Sequence, residues 1–252
     1  MIPYIQIGPL RLYTYGLMLA WGLWQGYYVF HKEVQRRKLP IDDAALMLAI
    51  AIAGVVGAKL YHVIVTVVLT EHQTPSWHSV FSLAGLAWNG GLIAGFAVLA
   101  IYAYSKRISI WLLLDCASPA AAIGYGFGRL GCFLAGDGDY GKPTDLPLGM
   151  SFPRGLVPTT QRVHPTPVYE LLGAVFLFWL LMRIARRNPG PGTVFAIYLI
   201  LSGVFRFAVE FIRINPPFLF GLTEAQVISL GAIVVGVAVG WRGAFRPVSQ
   251  AT

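Results

Sequence analysis

Seven apolar runs punctuate the chain, near residues 14–30, 44–69, 91–104, 111–127, 168–182, 193–211 and 225–241. Each reaches or approaches the roughly 20 residues that an α-helix needs to cross about 30 Å of hydrocarbon. The pattern predicts an all-α integral membrane protein of about seven transmembrane helices, one transmembrane domain over residues 1–252. No basic stretch precedes the first run, which continues into a long aromatic-rich span, so it reads as a retained helix and not a cleavable signal. Between the fourth and fifth runs lies the longest non-spanning segment, at about 129–167, with KPTDLP and PTTQRVHPTP as turn material. Loops beyond about 12–15 residues are more often functional or disordered than merely connecting. The aromatic, His, Arg and Asp residues here predict an ordered, functional, extracytoplasmic loop.

Composition agrees with the pattern: 56% of residues are hydrophobic, 12% are charged and the mean hydropathy is +0.64, against roughly 25% charged in a soluble domain. The net charge is +8, and its placement sets the expected topology. Lys32, Arg36, Arg37 and Lys38, then Lys106 and Arg107, then Arg183, Arg186 and Arg187, then Arg242 and Arg246 fall on one side if seven spans alternate. That side is cytoplasmic by the positive-inside rule, with the amino terminus outside and the carboxyl terminus inside. The stretch 70–86, on the opposite side, has no Lys or Arg. The basic excess thus belongs to loops beside anionic membrane lipid and not to nucleic-acid binding. Cys116 and Cys132 are the only cysteines; Cys116 reads as a small hydrophobe in an apolar run, and no disulfide framework is expected.

Ionisable groups within spans are costly to bury and mark functional sites by default. Three groups stand out: Lys59 and His62 in GAKLYH; Arg129 with Asp137 and Asp139 in GRLGCFLAGDGDYG; and Arg206, Glu210 and Arg213 in RFAVEFIR. The i, i+4, i+7 spacing of the last group predicts one helical face. Glu210 either pairs with Arg206 to anchor two helices or turns Arg206 toward an anionic ligand, whose phosphate oxygens a planar guanidinium binds bidentately. Arg129, flanked by glycines, reads either as a head-group ligand or as a snorkelling arginine above a solvated acidic turn. Asp137 and Asp139 alone fall short of a magnesium or calcium site, and no metal is expected. His164 precedes a helix predicted to start near Thr166, with Thr166 as its cap; a histidine there suits a base or an orienting donor.

With these residues in view, the chain resembles the prolipoprotein diacylglyceryl transferases of bacterial membranes, over nearly its whole length and with the motifs in order. YTYGLMLAWG is similar to the family's Tyr-Gly-Leu helix, GAKLYHV to its Gly-Ala-Arg-Leu segment and GLAWNGGLIAG to its Gly-Gly-Leu-Ile segment. GRLGCFLAGDGDYG resembles the family signature, VHPTPVYELL its His-Pro-x-Gln-x-Tyr-Glu motif, and FRFAVEFIR with GLTEAQVISL its final pair of helices. The resemblance implies a multi-pass protein of the inner (cytoplasmic) membrane that moves the diacylglyceryl group of phosphatidylglycerol onto the lipobox cysteine of a preprolipoprotein signal peptide. A thioether forms and glycerol 1-phosphate leaves, without a cofactor. It carries activity to Tyr15, Arg129, Gly141, Arg206 and Glu210, with Lys59, His62, Asn89 and Tyr169 as further substrate contacts. Arg129 and Arg206 are the expected phosphate clamp, and Asp137, Asp139 and His164 the further catalytic candidates.

The chain departs from the family pattern at several of these positions. Cys132 and Ala135 stand in place of asparagines, Lys59 in place of arginine, Pro167 in place of glutamine, and Asn89 where a histidine, a proposed base, often stands. One extra residue before Gly141 leaves the signature's carboxylate on Asp137 or Asp139. Two other functions remain open from sequence: a paralogue with a different acceptor, and a non-catalytic lipid-binding or lipid-transporting protein. The chain shows no inverted repeat of the kind transporters carry.

Overall fold

In a computed structural model the described residues are 1–64 and 87–244, without the side chains of Trp88 and 242–244. The expected basic-free stretch at 70–86 and the tail residue Arg246 lie outside them, as does the Arg242 side chain. Seven helices are present among the described residues: α1 Thr14–Arg36, α2 Asp43–Tyr61, α3 Trp88–Ser105, α4 Ile110–Ala135, α5 Thr166–Ala185, α6 Thr193–Glu210 and α7 Glu224–Ala244. One begins in or beside each predicted apolar run.

Among the described residues, five helical segments are long and apolar enough to cross a membrane: Asp43–Ile64, Ile110–Ala135, Thr166–Ala185, Thr193–Glu210 and Glu224–Trp241. The apolar helix Asn89–Ser105 is shorter. Helix α1 spans 23 residues but carries Gln25, His31, Lys32, Glu33, Gln35 and Arg36. Helix α4 continues eight residues past the end its apolar run suggests, so Arg129 and Cys132 are helical and the long loop begins at Gly136.

Two short antiparallel hairpins accompany the helices, which apolar run lengths alone do not reveal. Strands β1 (Tyr4–Ile7) and β2 (Leu10–Tyr13) pair Tyr4 with Tyr13. Strands β3 (Met150–Phe152) and β4 (Thr159–Val163) pair within the long loop. There Tyr140 stacks on Phe152 with ring centroids 4.1 Å apart, and both pack with Val163 as a small buried core.

The chain forms two compact units, Met1–Lys32 with Leu114–Thr252, and Glu33–Leu113. In the first, helices approach through small residues, as helix pairs in a membrane commonly do. A Cβ on Gly22 of α1 would come within 2.9 Å of the Phe127 Cβ on α4, and one on Gly203 of α6 within 2.9 Å of the Ser229 carbonyl oxygen on α7. Ala122 of α4, Leu177, Leu181 and Ala185 of α5, and Val194 of α6 form a buried apolar cluster beside these contacts. Asp115, fully buried on α4, accepts from the backbone N–H groups of Gly192 and Phe195, both at 2.9 Å. It satisfies donors that the first turn of α6 leaves without helical partners, and a carboxylate suits the positive end of that helix.

In the second unit, α2 begins at a side-chain cap, with the Ala45 N–H donating to Asp42 Oδ1 at 2.9 Å. Helices α2 and α3 meet backbone to backbone at Gly57 and Gly90, where a Cβ on either would overlap the other's carbonyl oxygen. Lys59 lies in the last turn of α2, the His62 N–H closes that helix on Ala58 and Lys59, and Asn89 lies in the first turn of α3.

Candidate active site

The first unit assembles a buried ionic cluster from α4, α5, α6, the segment after α6 and the long loop. On α4, Tyr125 and Arg129 are one turn apart, and the Arg129 guanidinium lies 4.9 Å above the Tyr125 ring. On α5, Glu170 is fully buried and collects the surrounding donors. Its Oε1 accepts from the Tyr125 hydroxyl at 3.0 Å and from Arg206 Nη1 at 2.7 Å. Its Oε2 faces Arg129 Nε at 3.1 Å and Arg213 Nη1 at 3.4 Å. Such density of donors is what a carboxylate with no water needs, since burying one unpaired costs several kcal/mol.

Two further carboxylates complete the cluster. Glu210 Oε2 pairs with Arg206 Nη2 at 3.0 Å, while its Oε1 accepts from Thr223 Oγ1 at 2.9 Å and from Asn215 Nδ2. Asp139 bridges two guanidiniums, pairing with Arg129 Nη1 and with Arg213 Nη2. Three arginines therefore meet three carboxylates, a formally neutral set. The carboxylates are not equivalent: the side chains of Glu170 and Glu210 are 0% exposed and that of Asp139 is 30% exposed.

Burial would push Asp139 upward in pKa, but the Arg213 hydrogen bond and the charges of Arg129 and Arg213 outweigh it and hold the carboxyl below its ordinary range. Arg213 shows the converse: burial opposes its charge, yet the bond to Asp139 and the carboxylates of Asp139 and Glu170 raise its proton affinity.

Local backbone geometry puts Asp139 there. Gly136 and Gly138 take left-handed conformations, φ +62° and +96°, which glycine adopts without steric cost, and they turn the chain sharply off the end of α4. Asp137 Oδ1 accepts from the Asp139 N–H at 3.2 Å, and the Asp139 carbonyl accepts from Thr166 Oγ1 at 2.5 Å. Gly141 bridges to Arg213 and donates its N–H to the His164 carbonyl at 2.9 Å. A Cβ on Gly141 would lie 2.6 Å from the Ile212 carbonyl oxygen and 2.7 Å from the His164 Cβ, so no larger residue fits.

Of the sequence-derived candidates, Arg129, Asp139, Arg206 and Glu210 join the cluster, and Gly141 braces it. Tyr15 packs beside it, against Gly131 two residues after Arg129, where a Cβ would meet its Cδ2 at 3.2 Å. Asp137 serves the turn and lies near the Cys132 thiol. His164 Nδ1 lies 3.3 Å from the Tyr169 hydroxyl, and its main chain ties Gly141 and Lys142. Lys59, His62 and Asn89 belong to the other unit.

Two expectations are corrected. Thr166 does not cap α5: Pro165 holds the cap position, and the Thr166 hydroxyl is engaged by the Asp139 carbonyl. Arg213 does not share a helical face with Arg206, because α6 ends at Glu210; the bridge to Gly141 returns Arg213 to the cluster instead. Glu170 and Tyr125 were not singled out from sequence. Glu170 stands in the VHPTPVYELL motif, and an acidic residue in an apolar run was the signal for it; Tyr125, one turn before Arg129, looks like one more aromatic.

Electrostatically, the cluster suits a phosphate ester. Each guanidinium has five N–H donors; the contacts above use two of Arg129 and two of Arg206, whose side chains remain 17% and 26% exposed. Glu170 holds both groups, with Glu210 holding Arg206 as well, so a ligand meets preorganised donors.

The family model described as prolipoprotein diacylglyceryl transferase matches residues 3–242. A phosphatidylglycerol–prolipoprotein diacylglyceryl transferase of Clostridium tetani is 33% identical over 237 residues, covering 93% of this chain and 94% of its own. Proteins of the same name from Methylococcus capsulatus and Thermosynechococcus vestitus are 34% and 31% identical, covering 93% and 96% of this chain and 92% and 91% of their own.

Proposed function

This chain belongs to the prolipoprotein diacylglyceryl transferase family, and from that premise we propose that it transfers the diacylglyceryl group of phosphatidylglycerol to the thiol of a lipobox cysteine in a preprolipoprotein signal peptide. The observation that carries this reading to particular residues is the pair Arg129 and Arg206, each held by the buried carboxylate of Glu170 and each partly exposed. They receive the phosphate of the donor lipid.

The acceptor's sulfur attacks the glycerol carbon that bears the phosphate oxygen. A C–S bond forms, the C–O bond breaks, and its electron pair leaves with glycerol 1-phosphate. Charge on the phosphate grows from that of a diester to that of a monoester, so fixed guanidiniums stabilise the transition state more than the bound lipid, which is the condition for faster chemistry. The nucleophile belongs to the acceptor, and Cys132 stays a buried neighbour. The Gly141 brace and the loop at 136–165 hold Asp139 and Arg213 in register with the arginines.

In the membrane, the chain works as one transmembrane domain of the bacterial inner membrane. Seven spans place the amino terminus outside, the carboxyl terminus in the cytoplasm and the long loop on the outer side. Within the first unit, Tyr15, Tyr169 and His164 complete the contacts to donor and acceptor.

The test is transfer from labelled phosphatidylglycerol to a lipobox peptide by the purified protein. Thioether product and released glycerol phosphate are expected, both lost in Arg129→Ala. A protein that binds the lipid but yields neither product is a binding protein. Product on another acceptor alone would mark a paralogue.

A further inference from the structure

We propose that the Asp139 carboxylate occupies the seat of the donor's phosphate between Arg129 and Arg213, is displaced when the lipid binds, and then accepts the proton of the acceptor thiol. This rests on the transferase reading and adds Arg213 to Arg129 and Arg206 at the phosphate, and names the base.

Three observations converge on Asp139. It is the one carboxylate of the three with marked exposure, so it alone has room to leave the cluster. Both arginines that it bridges are also held by Glu170 Oε2, through Arg129 Nε and Arg213 Nη1. Loss of Asp139 therefore leaves two guanidiniums still oriented, with Arg129 Nη1 and Arg213 Nη2 presented to whatever takes its place. An oxyanion with two oxygens does so most directly, because arginine forks match carboxylate and phosphate alike. Finally, the Asp139 main chain is pinned on both sides, by Asp137 and by Thr166, so its side chain can swing while its backbone stays at the reacting centre.

Displacement changes the chemistry of the carboxylate. The groups that face it are Arg129 and Cys132 of α4, Tyr15 of α1 and Arg213 after α6, with Asp137 beside it in the loop. Bound to two guanidiniums, it is a poor proton acceptor. Once it is removed from them and set beside a phosphate's negative charge, its proton affinity rises. The thiol proton then passes to Asp139 Oδ, sulfur bonds to carbon, and the C–O electron pair goes to the phosphate. The departing phosphate monoester or water takes the proton from Asp139, and the restored carboxylate reclaims the arginines and expels the product. Asn89 stands where a base was sought from sequence, and its amide takes no proton at neutral pH; Asp139 supplies one without it.

Asp139→Asn in the purified full-length protein separates the two roles. Expected is tighter binding of glycerol 1-phosphate and of inorganic phosphate by calorimetry, a lower KM for phosphatidylglycerol, and a kcat reduced about 10²- to 10⁴-fold, the range for loss of a general base. Asp139→Ser gives the same readings if the asparagine variant fails to fold. Arg213→Lys, with Asp139 intact, is expected to weaken phosphate binding. Phosphate binding that weakens together with kcat in the Asp139 variants, or a kcat that stays unchanged, overturns the proposal. Failure of the unaltered protein to make any thioether sinks the transferase reading itself, while the phosphate-binding comparison still decides whether Asp139 competes for the seat.

Discussion

Arg129 on α4 and Arg213 beyond α6 meet on a single oxygen of the buried Glu170, Oε2, at 3.1 and 3.4 Å. Two positive groups so close hold together because carboxylates lie between them, Glu170 here and Asp139 on their other side. Replacing Glu170 with alanine leaves three guanidiniums facing two carboxylates, one of them, Asp139, partly exposed. Breaking a buried ion pair from one side costs about 3–5 kcal/mol, so Glu170→Ala is expected to lower the unfolding midpoint sharply and to abolish transfer. Thermal unfolding in detergent beside the transfer assay checks both; an unshifted midpoint would show that the arginines do not depend on Glu170.

Gly141→Ala tests the brace apart from the charges. The added methyl would overlap the Ile212 carbonyl and the His164 Cβ, and relief requires the bridge to Arg213 to open. A misplacement of about 1 Å can cost on the order of 10²-fold in rate. The expected outcome is a fall in kcat of that order with helical content unchanged by circular dichroism. Full activity would mean that Arg213 is not placed through Gly141.

How much of this the sequence reveals depends on the range of the interaction involved. Seven helices were legible because apolar run length is local. Arg206 and Glu210 were legible as neighbours because i, i+4 residues meet on any helix. Glu170 was not, since its four partners come from three separate parts of the chain, and the choice between Asp137 and Asp139 needed the turn at Gly136 and Gly138 to decide which carboxylate faces Arg129. The hairpins β1–β2 and β3–β4 are not legible, because strands of three to five residues leave little trace beside spans of twenty apolar residues. Asp115 sits in the fourth apolar run, yet its role depends on Gly192 and Phe195, some eighty positions away.

The lowered pKa of Asp139 has a stability consequence of definite sign. A carboxyl with a folded pKa below its unfolded value, about 3.9, stabilises the folded state fully above that unfolded value. The contribution disappears as pH falls through the folded pKa. Unfolding midpoints measured from pH 7 down to pH 3 are expected to hold and then drop below about pH 4, with a shallower drop in Asp139→Asn. Identical acid limbs for the two proteins would remove Asp139 from the account of acid stability.

Asp115 offers the opposite kind of variant, one that acts on stability and not on chemistry. Asp115→Ala leaves the Gly192 and Phe195 N–H groups without a carboxylate in a buried position, and a lost helix cap costs roughly 0.5–2 kcal/mol. A lower unfolding midpoint with kcat and KM close to those of the unaltered protein is expected. A change in KM larger than the change in stability would instead tie the start of α6 to lipid binding.

Cys132 is the residue whose chemistry invites a mistaken reading, since a thiol near Arg129 in a sulfur-alkylating enzyme suggests a covalent intermediate. Its position argues otherwise. It is a buried free cysteine on α4, close to Asp137. The sulfur that ends in the thioether comes from the acceptor, so no enzyme thiol has to be alkylated and released. Cys132→Ala is expected to retain most of the transfer activity, and mass spectrometry of the protein stopped during turnover with phosphatidylglycerol alone is expected to show Cys132 unmodified. A diacylglyceryl adduct on Cys132, together with an inactive alanine variant, would replace direct displacement by a two-step mechanism.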